Sequence, residues 1–172
     1  MTTLWRLSNS DNLTGTAVLD GRWAVAGAPV ILLDASPAAA ICARLALAEV
    51  PHPHQLPRTY RLLEINVPPR CITTPPPALL RGHDTEATRA FGQRWLDNES
   101  SLLLRVPSMA GAMQFLLNSV HADMALCTVK RRAAYPFDGL LEGLSLNLAD
   151  GSDWLAREPA RAACLYAFPY NS

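Results

Sequence analysis

The sequence predicts an α+β domain built on a largely antiparallel sheet. Three observations carry that prediction. Short runs with strand character recur along the chain, at Leu4–Leu7, Val30–Leu33, Thr59–Val67 and Ser101–Val106. Two longer stretches have helical character. The two kinds of element follow one another irregularly, without the steady βαβ rhythm of a doubly wound parallel sheet. With 172 residues, 49% of them hydrophobic, the chain is long enough to bury one core and too apolar to be disordered as a whole.

Leu4-Trp5-Arg6-Leu7 alternates and opens the sheet. Residues Ser8 to Gly15 are rich in Ser, Asn, Asp and Gly and form a loop. Asp20-Gly21 signals a tight turn that presents Arg22 and Trp23. Gly27 and Pro29 bracket the entry to the apolar strand Val30-Ile31-Leu32-Leu33. Ser36 is a helix N-cap and Pro37 sits at the first helical position, where its missing N–H costs nothing. The Ala- and Leu-rich run from Ala38 to Ala48 is a strong helix former, apolar nearly all round, with Arg44 as its one interior charge. Pro51-His52-Pro53-His54 ends that helix.

Thr59 to Val67 is a strand. Pro68-Pro69 and Pro75-Pro76-Pro77 frame a stiff extended connection. Asp84 or Thr85 caps a second helix through about Leu96, with Phe91 and Trp95 on one face. Ser101 to Val106 is a buried strand closed by Pro107-Ser108. The stretch from Met109 to Leu117 is read as a helical turn leading to Asn118, and Met124 to Val129 as a further strand. Ser152-Asp153-Trp154 can cap a short helix limited by Pro159. No internal repeat is present.

The formal net charge is zero, which argues against nucleic-acid binding or a polybasic membrane role. The four cysteines, at Cys42, Cys71, Cys127 and Cys164, are widely spaced with no C-x-x-C pair. No metal site is expected from them, and His52 with His54 supplies only two ligands. Cys42 and Cys127 lie in apolar runs and read as core residues. No signal peptide or membrane span is visible, so a cytoplasmic location is expected.

Several short pieces, in order, resemble a known family. They are Leu4-Trp5-Arg6, Gly21-Arg22-Trp23, Gly27-Ala28-Pro29-Val30-Ile31-Leu32, Ser36-Pro37-Ala38, Trp95-Leu96, Val106-Pro107-Ser108, Phe115-Leu116-Leu117-Asn118 and His121. Together they look like the RES-domain toxins, the toxin halves of bacterial Xre–RES toxin–antitoxin modules. The resemblance runs from about Leu4 to Leu141. It implies an ADP-ribosyltransferase-like fold: a mostly antiparallel twisted sheet with flanking helices over residues 1–144. Residues 145–172 are then a C-terminal extension of unknown role.

The resemblance also implies consumption of NAD⁺, by cleavage, phosphorolysis or transfer of ADP-ribose to a protein acceptor. The implied partner is an Xre-type antitoxin, with a homodimer of toxins inside the complex. The family's Arg maps onto Arg22 and its Ser onto Ser108. Its Tyr falls on Leu32 and its Glu on Ala43. Ala24 and Leu47 stand where the family often has an Asn or His and a His. Since Leu32 and Leu47 depart as well as Ala43, divergence fits better than one inactivating change.

Breaking the nicotinamide–ribose bond builds positive charge on the ribose, so a carboxylate beside it is needed. A grip on the pyrophosphate suits arginine, and the nicotinamide ring needs an aromatic or apolar face. Arg22 and Arg6 are candidates for the grip, Trp23 or Trp5 for the face, Ser108 for orienting the substrate, and the Ser36 helix start for a phosphate. The carboxylate is vacant at Ala43. Glu49 lies about 240° round the helix from it, and Glu64 serves only if its strand faces the cleft.

Each candidate also has an ordinary structural reading. Arg22 pairs with Asp20 on a surface turn, Ser108 and Ser36 cap helices, and Arg6 is a strand-edge charge. Asn118 is a turn former and His121 a loop histidine. At the level of function, the alternative is a non-catalytic RES scaffold that acts by binding a partner protein. An unrelated α+β hydrolase sharing these short motifs is a third reading.

Overall fold

A computed structural model describes residues 2–17, 20–68, 72–108 and 112–137. Seven strands form one sheet: β1 (Thr2–Ser8), β2 (Val30–Asp34), β3 (Arg61–Val67), β4 (Ile72–Thr73), β5 (Leu103–Pro107), β6 (Met113–Asn118) and β7 (Thr128–Ala134). Their order across the sheet is β4-β5-β6-β2-β1-β3-β7. Every pairing is antiparallel except β4 with β5. The helices are α1 (Pro37–Ala48), α2 (Pro77–Arg81) and α3 (Thr85–Asp97). The α+β class with a largely antiparallel sheet is what the irregular alternation of elements predicts.

Alternation divides the sheet into two faces. One carries Leu4, Ile31, Leu33, Leu63, Ile65, Val67, Leu103 and Leu117, all buried. On the other, two apolar clusters lie side by side. Under α1, Leu7, Ala40, Ile41, Leu62 and Phe137 pack together. Near α3, Trp23, Val30, Trp95, Leu104, Val106 and Leu116 do so. Leu32 shares that second face with Val30 and Asp34, yet it is 41% exposed. It falls in the gap between the two clusters.

α1 begins as expected. Ser36 Oγ accepts the Ala39 N–H at 3.2 Å and Pro37 occupies the first turn. The helix ends at Glu49, in the left-handed region at φ 54°. Asp84 caps α3 through the Ala87 N–H at 2.9 Å.

Three expectations need correction. The segment read as a helical turn toward Leu117 is strand β6 over its described residues. β6 lies between β5 and β2 with four consecutive buried residues, Phe115–Asn118. A strand buried on both faces has no alternation to distinguish it from a helical turn. The expected strand Met124–Val129 begins as a 3₁₀ turn, Ala122–Leu126, and the strand β7 starts at Thr128. There, as the edge strand after β3, it carries an exposed run of Lys130, Arg131 and Arg132. The proline-framed connection also contains α2, which opens on Pro76 and Pro77, residues with no N–H left to satisfy at a helix start.

Cys42 and Cys127 are half-buried, the latter packed against the first face. Cys71, Cys164, the helix start at Ser152 and the 144/145 boundary lie outside the described residues.

Candidate functional site

The site residues expected from the sequence separate into two places. The first is the corner made by residues 20–28, α2 and α3. Here Arg22 turns inward. Its Nη2 donates to the Leu79 carbonyl at 2.8 Å and to the Gly82 carbonyl, and its guanidinium lies 5.4 Å from the Trp23 ring. Asp20 does not pair with it; the Asp20 carboxylate accepts the Ala26 N–H at 2.8 Å instead. Trp23 is 5% exposed and meets Phe91 edge-on, at 6.4 Å between ring centroids.

Two more bonds pin the loop to α3, from Thr88 Oγ1 to the Arg22 carbonyl at 2.7 Å and from Arg89 Nε to the Gly21 carbonyl at 2.8 Å. A Cβ at Gly92 would overlap the Trp23 carbonyl, so only glycine lets α3 sit this close. Arg22 and Trp23 are therefore built into packing, and Trp23 presents no open face to a ring.

The second place is a small depression where α1 crosses β1 and β2. Arg6, Leu7, Leu32, Asp34, Ala40, Ala43, Arg44 and Leu47 line it. Ala40, Ala43, Arg44 and Leu47 are spaced i, i+3, i+4, i+7 and so share one helix face. Leu32 and Asp34, two apart on β2, share one sheet face. The positions onto which the resemblance maps the family's Tyr and Glu, Leu32 and Ala43, thus line one depression together with Arg6. Arg22, Trp23, Ser36 and Ser108 do not line it. Ser36 is engaged as a cap, and Ser108 stands just beyond β5, its N–H donating to the Ala112 carbonyl at 2.8 Å.

Two charged residues of this depression, Asp34 and Arg44, were not singled out as site residues by the sequence. Asp34 is 4% exposed, and its Oδ1 accepts from Gln114 Nε2 at 2.9 Å. Burial pushes its carboxyl up to about 6, against the opposing pull of the Gln114 bond and the Arg44 charge. Arg44 donates from Nε to the Leu7 carbonyl at 3.2 Å and lies 5.5 Å from the Tyr60 ring. Burial, and then the Arg44 charge, lower Arg6 to about 10. Period-two counting from Leu32 and the step from Ala43 to Arg44 are the signals that point to both residues.

The alternative carboxylates lie elsewhere. Glu49 is exposed at the end of α1, and Glu64 is 3.1 Å from Lys130 Nζ. His121 caps the 3₁₀ turn through the Asp123 N–H at 3.0 Å. Asn118 is fully buried, and its Oδ1 accepts the Val120 N–H at 3.1 Å. His52 and His54 contact one another through their Nδ1 atoms. Among the described residues no three His, Cys, Asp or Glu side chains gather in a way that could hold a metal ion. No helix among them is long and apolar enough to cross a membrane.

A mixed domain with a mostly antiparallel seven-stranded sheet has the fold of a known toxin. The solved M. tuberculosis MbcT–MbcA toxin–antitoxin complex contains a chain that superposes with a TM-score of 0.56 at 17% identity, covering 77% of this chain and 82% of that one. Over 124 residues the sequence is 40% identical to the protein named Toxin Res of Pseudomonas putida, 69% of this chain and 85% of that protein. Residues 3–138 match the RES domain model. The chain belongs to the RES-domain toxin family.

Proposed function

We propose that this chain is the toxin of a toxin–antitoxin pair, acting in the cytoplasm on NAD⁺. The reaction is cleavage of the nicotinamide–ribose bond, with ADP-ribose passing to water, phosphate or a protein acceptor. The observation that carries this reading is the meeting of Leu32, Ala43 and Arg6 at one depression. The two positions where the family places its Tyr and Glu converge there beside a cation.

The chemistry on the walls supports it. Arg6 and Arg44 are close enough for one charge to weaken the other, and an anion between two such groups relieves that repulsion. They suit a pyrophosphate better than Arg22 does. Leu32 and Leu47 offer an apolar face for a nicotinamide ring. The depression encloses about 40 Å³, far below the roughly 300 Å³ at which ligand sites begin. NAD⁺ therefore requires the rim to open. Leu32 and Leu47, at 41% and 49% exposure, are the apolar side chains that stand at that rim.

The partner in this reading is an Xre-type antitoxin that covers the depression, with two toxins in the complex. The toxin name of the Pseudomonas putida relative and the toxin–antitoxin complex of the solved neighbour support a protein partner. A second reading, a scaffold that binds its partner without turning over NAD⁺, is favoured by the small depression and by Ala43.

Incubation of the chain with NAD⁺, with and without phosphate and cell extract, separates the two. The toxin reading expects free nicotinamide from the native chain or from Ala43→Glu, and growth arrest on expression. Silence from both proteins under every condition leaves only the scaffold.

A further inference from the structure

Among the residues that line the depression, one carries a carboxylate: Asp34. It ends β2, on the sheet face that Leu32 shares, beneath the α1 face formed by Ala40, Ala43, Arg44 and Leu47. The register Asp34↔Gln114 between β2 and β6 brings the Gln114 amide to its Oδ1, which fixes the side chain. Position 43 carries only a methyl group, so no carboxylate reaches the depression from α1. Resting on the reading above, we infer that Asp34 is the catalytic carboxylate of this chain, set against the ribose of NAD⁺ from the sheet side where a glutamate at position 43 would reach it from the helix side.

The assignment accounts for features that packing alone leaves unexplained. A carboxylate this deeply buried is costly to ionise unless partners or function repay it. Asp34 has one hydrogen bond from a neutral amide and two arginines in its surroundings, Arg44 from α1 and Arg6 from β1. Neither arginine is within ion-pair distance of it among the described residues. The charges are thus spaced around the depression rather than collapsed on one another.

During the reaction the bond from ribose C1′ to the nicotinamide nitrogen breaks, and its electron pair leaves with the ring as neutral nicotinamide. The positive charge left on C1′ and the ring oxygen faces Asp34. Water then adds to C1′, and its proton passes to the carboxylate and on to solvent. The products are nicotinamide, ADP-ribose and a proton.

Four proteins test this: the native chain, Asp34→Asn, Ala43→Glu and the double variant Asp34→Asn/Ala43→Glu, each assayed for nicotinamide release from NAD⁺. The native chain is expected to turn over and Asp34→Asn to lose about 10²-fold or more. The double variant is expected to recover activity, because the carboxylate returns from the other wall. The pH profile is the readout that a merely structural role leaves unmoved. The native rate should fall as pH drops through the Asp34 titration, and the double variant should move that limb.

Asp34→Asn keeping a rate within threefold of native overturns the inference and leaves the NAD⁺ reading standing. A silent native chain beside an active Ala43→Glu does the same. Silence from all four proteins, each shown folded by a cooperative melt, overturns the reading and the inference together.

Discussion

The two corners on one face of the sheet solve opposite problems. Around α3, every arrangement serves closeness. Arg22 spends its charge on the carbonyls of Leu79 and Gly82, Thr88 and Arg89 fasten the same loop, and Gly92 lets Trp23 touch the helix backbone. Around α1, closeness is given up. Two arginines and a carboxylate surround a depression, two leucines stand exposed at its rim, and alanine occupies the position facing them. The contrast teaches that an arginine on a recognisable motif can be held in packing, its guanidinium given over to backbone carbonyls. Substitutions in the first corner should damage stability, and those in the second should change charge behaviour with little damage.

The largest effect is expected at Gly92. Gly92→Ala forces a methyl group into the Trp23 carbonyl, and the loss should reach about 3 kcal/mol, the upper range for overpacking. Denaturant unfolding reads it as a lower midpoint; an unchanged midpoint means that α3 does not depend on that contact.

Asp34→Asn comes next, and its sign depends on pH. The folded carboxyl titrates near 6, above its ordinary 3.8. The stability this raised value contributes is full below 3.8 and is lost as pH rises through about 6. Asparagine does not titrate. The variant should therefore gain on the native chain by on the order of 2–3 kcal/mol between pH 4 and pH 7. Melting curves across that range test it, and parallel curves would count against a buried ionising group.

Arg22→Ala should cost about 1–2 kcal/mol, since it leaves two carbonyls without their charged donor. Nicotinamide release, corrected for folded protein, should hold near the native level. A large loss of rate in a stable variant would instead place Arg22 in the site. The smallest effect belongs to Leu47→Gln on the exposed rim, within about 0.5 kcal/mol of native. A thermal melt that drops by many degrees would show that Leu47 is packed.

Much of the frame was legible in the residues. Ser36-Pro37 marks the start of α1 because cap chemistry is local, and Asp84 marks α3 for the same reason. The alternation in β1 and β3 is visible because each meets water along part of its length. β6 was not legible, because burial on both sides removes the period on which the reading depends.

The candidate site shows a similar divide. Matching short motifs placed Leu32 and Ala43 as counterparts of functional positions, and the fold brings them together. The same matching gave no reason to notice Asp34 or Arg44. Their place at the depression comes from where α1 packs on the sheet and from a strand register, and neither is written in local spacing. Arg22 illustrates the reverse: a sequence shows that an arginine stands on a turn, but not which way its guanidinium points.

The pairing of β2 with β6 has a consequence for when this protein becomes whole. Asp34 and its Gln114 partner are 80 positions apart, and β1, first in the chain, waits for β3 before its second edge is covered. A nascent chain emerging from the ribosome holds the α1 side of the depression early and the clasp on Asp34 late. Until residue 114 has left the tunnel and joined the sheet, the carboxylate has no amide to fix it. Completion of the depression thus depends on β6, a strand that follows α1, β3, α3 and β5 along the chain.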